Sequence, residues 1–206
     1  GPSAAERALL PDAQSAPFEF LEIRNVGIRR VNLYGCSFDA GQPASALALG
    51  AVSLATGECA VVVRDLRRFR VRYGTNAALK VAGAWTDGEL GDNGEAVALR
   101  ARDGSVLQSF AYDAGGAWPG RADGGGSSLE YAGASWSAAA ASNPASWRSS
   151  SEFHGSPGAD GAGPDARAVI NEWLAHTDLP YVDAIELYNP GPTNLDIGGW
   201  LVSDCV

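Results

Sequence analysis

Methionine is missing from all 206 residues, lysine occurs once, at Lys80, and histidine only twice. A chain without even an initiator methionine is expected to be a processed or excised piece, with any signal peptide already gone. No run of about 18 apolar residues occurs, so no membrane-spanning helix is expected. Three cysteines and two histidines, scattered along the chain, are too few for a zinc centre. Positive charge is scarce as well. Fifteen basic residues face 24 acidic ones, the net charge is −9 and the pI about 4.6. That balance argues against the basic footprint of a nucleic-acid binder.

What is present suits a packed domain. Apolar residues make up 46% and mean hydropathy is −0.08, enough for a hydrophobic core. Twenty-six glycines and eleven prolines imply many turns, and short apolar runs recur between them, as in a β-sandwich or barrel. The runs are Phe18–Arg24, Val31–Phe38, Ala46–Ser53, Cys59–Val63, Leu79–Trp85, Ala96–Ala101, Val106–Tyr112 and Ser127–Tyr131. Asn93-Gly94 and Asp103-Gly104 are turn dipeptides, the second placed between two alternating runs as in a hairpin. One helix is expected over Asp65–Tyr73. Asp65 caps it, Leu66, Phe69 and Tyr73 share a face, and Gly74 stops it. From Ala132 to Asp165, Ala, Ser, Gly and Pro dominate, which reads as a surface excursion becoming a linker.

Beyond that linker the chain repeats its beginning. Shifted by 164 residues, Leu21–Ala40 lies on Ile185–Asp204 without a gap. Glu22, Asn25, Gly27 and Gly35 fall on Glu186, Asn189, Gly191 and Gly199. Further upstream, Arg7-Ala8-Leu9-Leu10 resembles Arg167-Ala168-Val169-Ile170. Such repetition marks an array of like modules. The expected organisation is a β-sandwich over residues 1–160, a linker over 161–166, and the N-terminal part of a second copy over 167–206.

The repeated pattern resembles the lamin-tail domain family. The resemblance rests on VINE at Val169–Glu172, IELYNPG at Ile185–Gly191 and LDIGGWLVSD at Leu195–Asp204. In the first copy it continues in order through FRVRYG at Phe69–Gly74, Asp87–Gly104, AWP at Ala117–Pro119, Ala122–Glu130, NPASWR at Asn143–Arg148 and GSPG at Gly155–Gly158. It covers residues 18–158 as one nearly complete domain and 168–206 as the start of another. Two positions depart from the pattern. Cys36 stands where the second copy has Trp200, and the opening strand of copy one is reduced to Leu9-Leu10-Pro11-Asp12. The resemblance implies an all-β fold, an immunoglobulin-like β-sandwich with one short helix followed by a partial second sandwich. It further implies a binding or tethering role, as in nuclear intermediate-filament proteins and bacterial secreted or surface proteins, where such domains often accompany hydrolases or nucleases. Fold alone supplies no activity.

Searching for chemistry turns up little that catalysis would use. Gly155-Ser156-Pro157-Gly158 is no nucleophile elbow, because proline replaces the residue that donates the oxyanion-hole N–H. Gly124–Gly126 leads into a strand, not a helix, so it cradles no phosphate. His154 and His176 lie on different modules and read as loop residues. Asp87, Glu89, Asp92 and Glu95 fall within nine positions of a glycine-rich stretch. They are candidate calcium ligands, against the plainer reading of a solvated turn. Arg64, Arg67, Arg68, Arg70 and Arg72 place positive charge on the helix, as scaffold or as a protein interface. Glu22 and Glu186 are acids within apolar strands; facing inward, they would need partners in the adjacent Asn-x-Gly turn. Trp85, Trp118, Trp136 and Trp147 are either core and loop anchors or a sugar platform. Cys36 and Cys59 are either free or joined across the sandwich, with Cys205 left over.

The function these features suggest is a non-enzymatic adhesion, tethering or assembly module of an extracellular or cell-surface protein. The alternative is a carbohydrate- or envelope-polymer-binding accessory domain beside a hydrolase. A protein partner is expected, either adjoining domains or a second copy added head-to-tail, with filament growth if the contact does not close. The interface candidates in the second copy are Val169, Ile170, Trp173, Ile185, Leu187 and Trp200, whose strands expose edges that invite pairing.

Overall fold

The computed structural model describes residues 2–12, 18–40, 47–76, 78–85, 88–163, 167–178, 180–200 and 202. They are mostly strands in several sheets, with three short α-helices. In chain order these are α1 (Ala4–Leu9), β1 (Phe20–Arg24), β2 (Val31–Asn32), β3 (Ser37–Asp39), β4 (Leu47–Ala48), β5 (Ser53–Leu54) and β6 (Cys59–Val63). Then come α2 (Leu66–Tyr73), β7 (Lys80–Ala84), β8 (Glu95–Arg100), β9 (Val106–Tyr112), β10 (Leu129–Tyr131), α3 (Ala138–Ala141), β11 (Trp147–Ser149), β12 (Val169–Leu174) and β13 (Ala184–Tyr188). The chain forms two compact units, one running to Gly161 and the other starting at Ala162.

In the first unit β1, β6 and β7 form a three-stranded sheet in that order, and β4, β3, β8 and β9 a four-stranded one. Side chains of both meet in one core. Ala60, Val62 and Ala82 come from the first sheet, Phe38 and Val97 from the second, with Leu33 and Leu54 beside them. The opposite face of the three-stranded sheet is covered by α2. Val61 and Val63 pack there on Phe69, with Phe20, Leu66 and Tyr73 around them. Burial on both faces explains the uninterrupted apolar run of β6, since Ala60–Val63 are all buried. It also explains the parallel pairing of β6 with β7, whose connection runs through α2. The helix forms where its pattern predicts. The Asp65 carboxylate accepts the Arg68 backbone N–H at 3.0 Å, and Gly74 leaves the helix at φ 78°.

Several expectations need correction. The run Val31–Phe38 is not one strand. Gly35, at φ 78°, turns the chain between β2 and β3. Within Ala46–Ser53, residue 46 lies outside the described residues, and the rest splits into β4 and β5 around buried Leu49. The sequence predicts one helix, and three α-helices occur among the described residues. The reduced opening strand Leu9-Leu10-Pro11-Asp12 forms no strand: Leu9 ends α1, Leu10 follows it, and Pro11 and Asp12 lie in a turn. α1 itself is held by a reciprocal cap in which Ser3 Oγ accepts the Glu6 N–H and the Glu6 carboxylate accepts the Ser3 N–H. The Ala-rich excursion contains α3 and β11, because Ser137 caps the helix and the stretch at Trp147 pairs with β10. Cys36 and Cys59 are both free thiols; Cys205 lies outside the described residues.

The second unit pairs β12 with β13 antiparallel, with an irregularity at Asn171. No strand occurs among the described residues of Asn194–Val202. The repeat nevertheless reappears in atomic detail. Asn25 Nδ2 donates to Arg29 O at 2.8 Å and its Oδ1 accepts the Gly27 N–H at 3.0 Å. Asn189 makes the same bonds to Thr193 O and Gly191, at 2.7 and 2.9 Å. The Asn32 side chain caps the Tyr34 N–H as Asp196 caps that of Gly198, and Gly35 and Gly199 share φ values of 78° and 79°. Of the residues common to both copies, the asparagine and the glycines are therefore the ones that build these turns.

Candidate functional site

The hairpin of the second unit carries the most exposed apolar surface on regular structure. Register places Ile170 opposite Leu187 and Trp173 opposite Ile185, so these four side chains share one face. Trp173 is 63% exposed, Ile170 58%, and both Ile185 and Leu187 41%. No side chain of β12 or β13 is buried. Val169 stands on the other face, and Trp200 lies beyond the hairpin in a turn closed by its N–H to Ile197 O. Ile185 and Leu187 match Leu21 and Ile23, which in the first unit pack against the core. The first copy thus shows what this face is shaped to do.

Among the candidate arginines, two are engaged inside the first unit. Arg72 grips Glu6 through Nε at 2.6 Å and Nη2 at 3.2 Å, with both side chains about nine-tenths buried. Its guanidinium also lies 3.7 Å from the Phe18 ring centroid. The pair holds α1 against α2, and Arg72 beside Glu6 keeps that carboxyl down at about 2. Arg68 bonds Asp65 and Asp12, each at 2.6 Å. Arg64 is half-buried, whereas Arg67 and Arg70 are exposed.

The acidic loop is built around a residue the sequence reading missed. Glu19, just before β1, accepts the Leu90 N–H through Oε2 at 3.2 Å. Burial pushes its carboxyl up to about 7, with Glu89 and Asp92 adding in the same direction and Arg64 opposing. Glu95 accepts the Gly91 N–H at 3.0 Å and the Tyr112 hydroxyl at 3.2 Å. Its carboxylate closes a turn. Asp87 lies outside the described residues. Among the described residues, no three His, Cys, Asp or Glu side chains come together as a metal-binding group. Nothing in the spacing of 87–95 pointed to Glu19, which lies some 70 positions away.

The other singled-out residues serve packing. Glu22 does not face inward. Leu21 and Ile23 do, and Glu22 stands exposed on the other side of β1, where it accepts the Gly158 N–H. Glu186 accepts the side-chain amide of Asn171. Trp85 packs against the core. Trp147 stacks on Phe110 at 5.1 Å and meets Tyr131 and Trp136 edge-on, and Trp118 lies 6.2 Å away. These rings pack their faces on one another as a small aromatic cluster. A cavity of about 150 Å³ at the end of α2, between Phe69, Leu79 and Val81, is smaller than an ordinary ligand pocket.

No family model and no curated protein matches the chain. No helix among the described residues is long and apolar enough to cross a membrane.

Proposed function

We propose that this chain is a non-enzymatic tethering or assembly module of a secreted or cell-surface protein. On this reading the first unit is a lamin-tail-like, immunoglobulin-like β-sandwich, and the second begins another. One observation carries the proposal: the Ile170, Trp173, Ile185 and Leu187 face is apolar and open, beside strand edges with no partner among the described residues. In the first unit the equivalent strand β1 is completed by β6, an apolar strand paired antiparallel. The partner of β13 is accordingly an extended apolar protein segment, supplied by adjoining sequence or by a second copy, and joined by main-chain hydrogen bonds. A vacant position on the first unit strengthens the case for a second copy. β1 pairs only with β6 among the described residues, and Leu9-Leu10-Pro11-Asp12, the stretch matching the start of β12, forms no strand.

Light scattering on the 206-residue chain and on a version ending at Gly158 tests the assembly. Concentration-dependent association of the longer chain alone is expected. If both remain monomeric at high concentration, self-assembly is wrong and the hairpin serves adjoining domains only. A glycan array separates the carbohydrate-binding alternative.

A further inference from the structure

The loop joining β1 to β2 presents a second surface, independent of the hairpin. Its scaffold is the buried Asn25, whose side chain holds the backbone of Gly27 and Arg29 and also donates to Leu54 O at 3.0 Å. On that rigid turn Val26 is 76% exposed and Ile28 92%, followed by exposed Arg29 and Arg30. From Arg24 to Cys36 no acidic residue occurs, in a chain of net charge −9. Arg29 and Arg30 form no ion pair among the described residues.

The second copy works as an internal control. It builds the same turn with the same hydrogen bonds, yet Val26, Ile28, Arg29 and Arg30 are there Pro190, Pro192, Thr193 and Asn194. The turn needs its asparagine and glycine, and nothing about it requires apolar or basic residues. Two branched apolar side chains held almost wholly in water, beside two guanidinium groups, are thus a property of this loop and not of its fold.

We propose that the Val26–Arg30 loop docks on an anionic lipid surface, with Val26 and Ile28 entering the headgroup boundary and Arg29 and Arg30 taking lipid phosphates. A bilayer is favoured over an acidic protein because exposure this high means the tip protrudes. A protein partner needs roughly 800 Å² of complementary patch per side, whereas a lipid interface accepts any protruding apolar tip. Each arginine near an anionic membrane strengthens binding about fivefold. With two apolar side chains added, a single copy binds weakly and reversibly, and linked copies bind far more tightly.

The test is co-sedimentation of the 206-residue chain with phosphatidylcholine vesicles, with and without phosphatidylserine. Its key variant grafts the second copy's residues onto the first, Val26→Pro, Ile28→Pro, Arg29→Thr and Arg30→Asn. Thermal melting serves as the check on folding. Binding to phosphatidylserine vesicles that salt weakens, and that the folded graft loses by about tenfold or more, is expected. A graft that binds as well as the parent overturns the proposal, and so does equal sedimentation with the neutral vesicles. Should the chain ignore vesicles but bind polyglutamate through this loop, the partner is an acidic protein and the lipid assignment is wrong. If the graft melts early, Arg29→Gln with Arg30→Gln, which leaves the Asn25 bonds intact, is read in its place.

Discussion

At the scale of single residues, charge is placed to fasten segments together. Arg72 and Glu6 are both largely buried, so removing one leaves the other without a partner. Arg72→Ala is expected to cost about 2–3 kcal/mol in denaturant melts, and Arg72→Lys less, since lysine keeps the charge but loses the fork. Glu6 sits at about 2 in the folded protein, below its ordinary 4.5. Its contribution is therefore complete above about pH 4.5 and lost as pH falls toward 2. Glu19 has the opposite sign. Raised from 4.5 to about 7, it binds a proton more readily folded than unfolded. Its effect is falling stability as pH rises from about 4.5 to 7. Glu19→Gln keeps an acceptor for the Leu90 N–H and is expected to raise the melting temperature at pH 8. Because Glu19 is partly exposed, the gain is about 1–2 kcal/mol. Melting temperatures of parent and variant from pH 4 to 8 check it: parallel curves would show that Glu19 does not titrate in this range. Gly94 is fixed by space rather than charge. At φ 90°, an added Cβ would lie 2.4 Å from Tyr112 O. Gly94→Ala should therefore open the turn that closes the acidic loop, seen as faster amide exchange at Leu90 and Gly91.

Elements differ in how far they can stand alone. Capping by Asp65 is local, so Asp65→Ala is expected to lower stability by about 1 kcal/mol without altering the fold. β6 is the reverse case, a strand made possible only by a second sheet on one side and α2 on the other. The β12–β13 hairpin has no such cover, and an isolated hairpin is marginal in water. Ile185→Thr with Leu187→Thr keeps β propensity while removing the apolar face. The pair of changes should abolish the association seen by light scattering and leave the melting of the first unit unchanged. Association that survives both substitutions would place the contact elsewhere.

For the whole molecule, two units of unequal finish share one chain. The first has two cores; the second exposes every residue of its strands. Limited proteolysis is expected to cut first within 162–183 and to leave a fragment ending near Gly161 that melts cooperatively. Early cuts within β6 to β9 would contradict the unequal stability drawn here. Much of this organisation is legible in the sequence. The Asn-x-Gly pattern of the 164-residue repeat names Asn25 and Gly27 as turn-building residues before any coordinate is known, because an Asx turn is a local requirement, whereas the turn at Gly35 is hidden in what reads as one strand. The bounds of β6 and β9 and the cap of α2 are likewise read from neighbouring residues alone. Other features depend on partners distant in the chain. Glu22 faces outward because β1 turns Leu21 and Ile23 to the core, and Glu19 is perturbed because residues 89–92 fold over it. Arg72 is occupied because the segment just before the reduced opening strand is a helix, α1, that carries Glu6 to it. Local chemistry is written in adjacent residues; burial and pairing depend on which segments meet, and only the tertiary structure decides that.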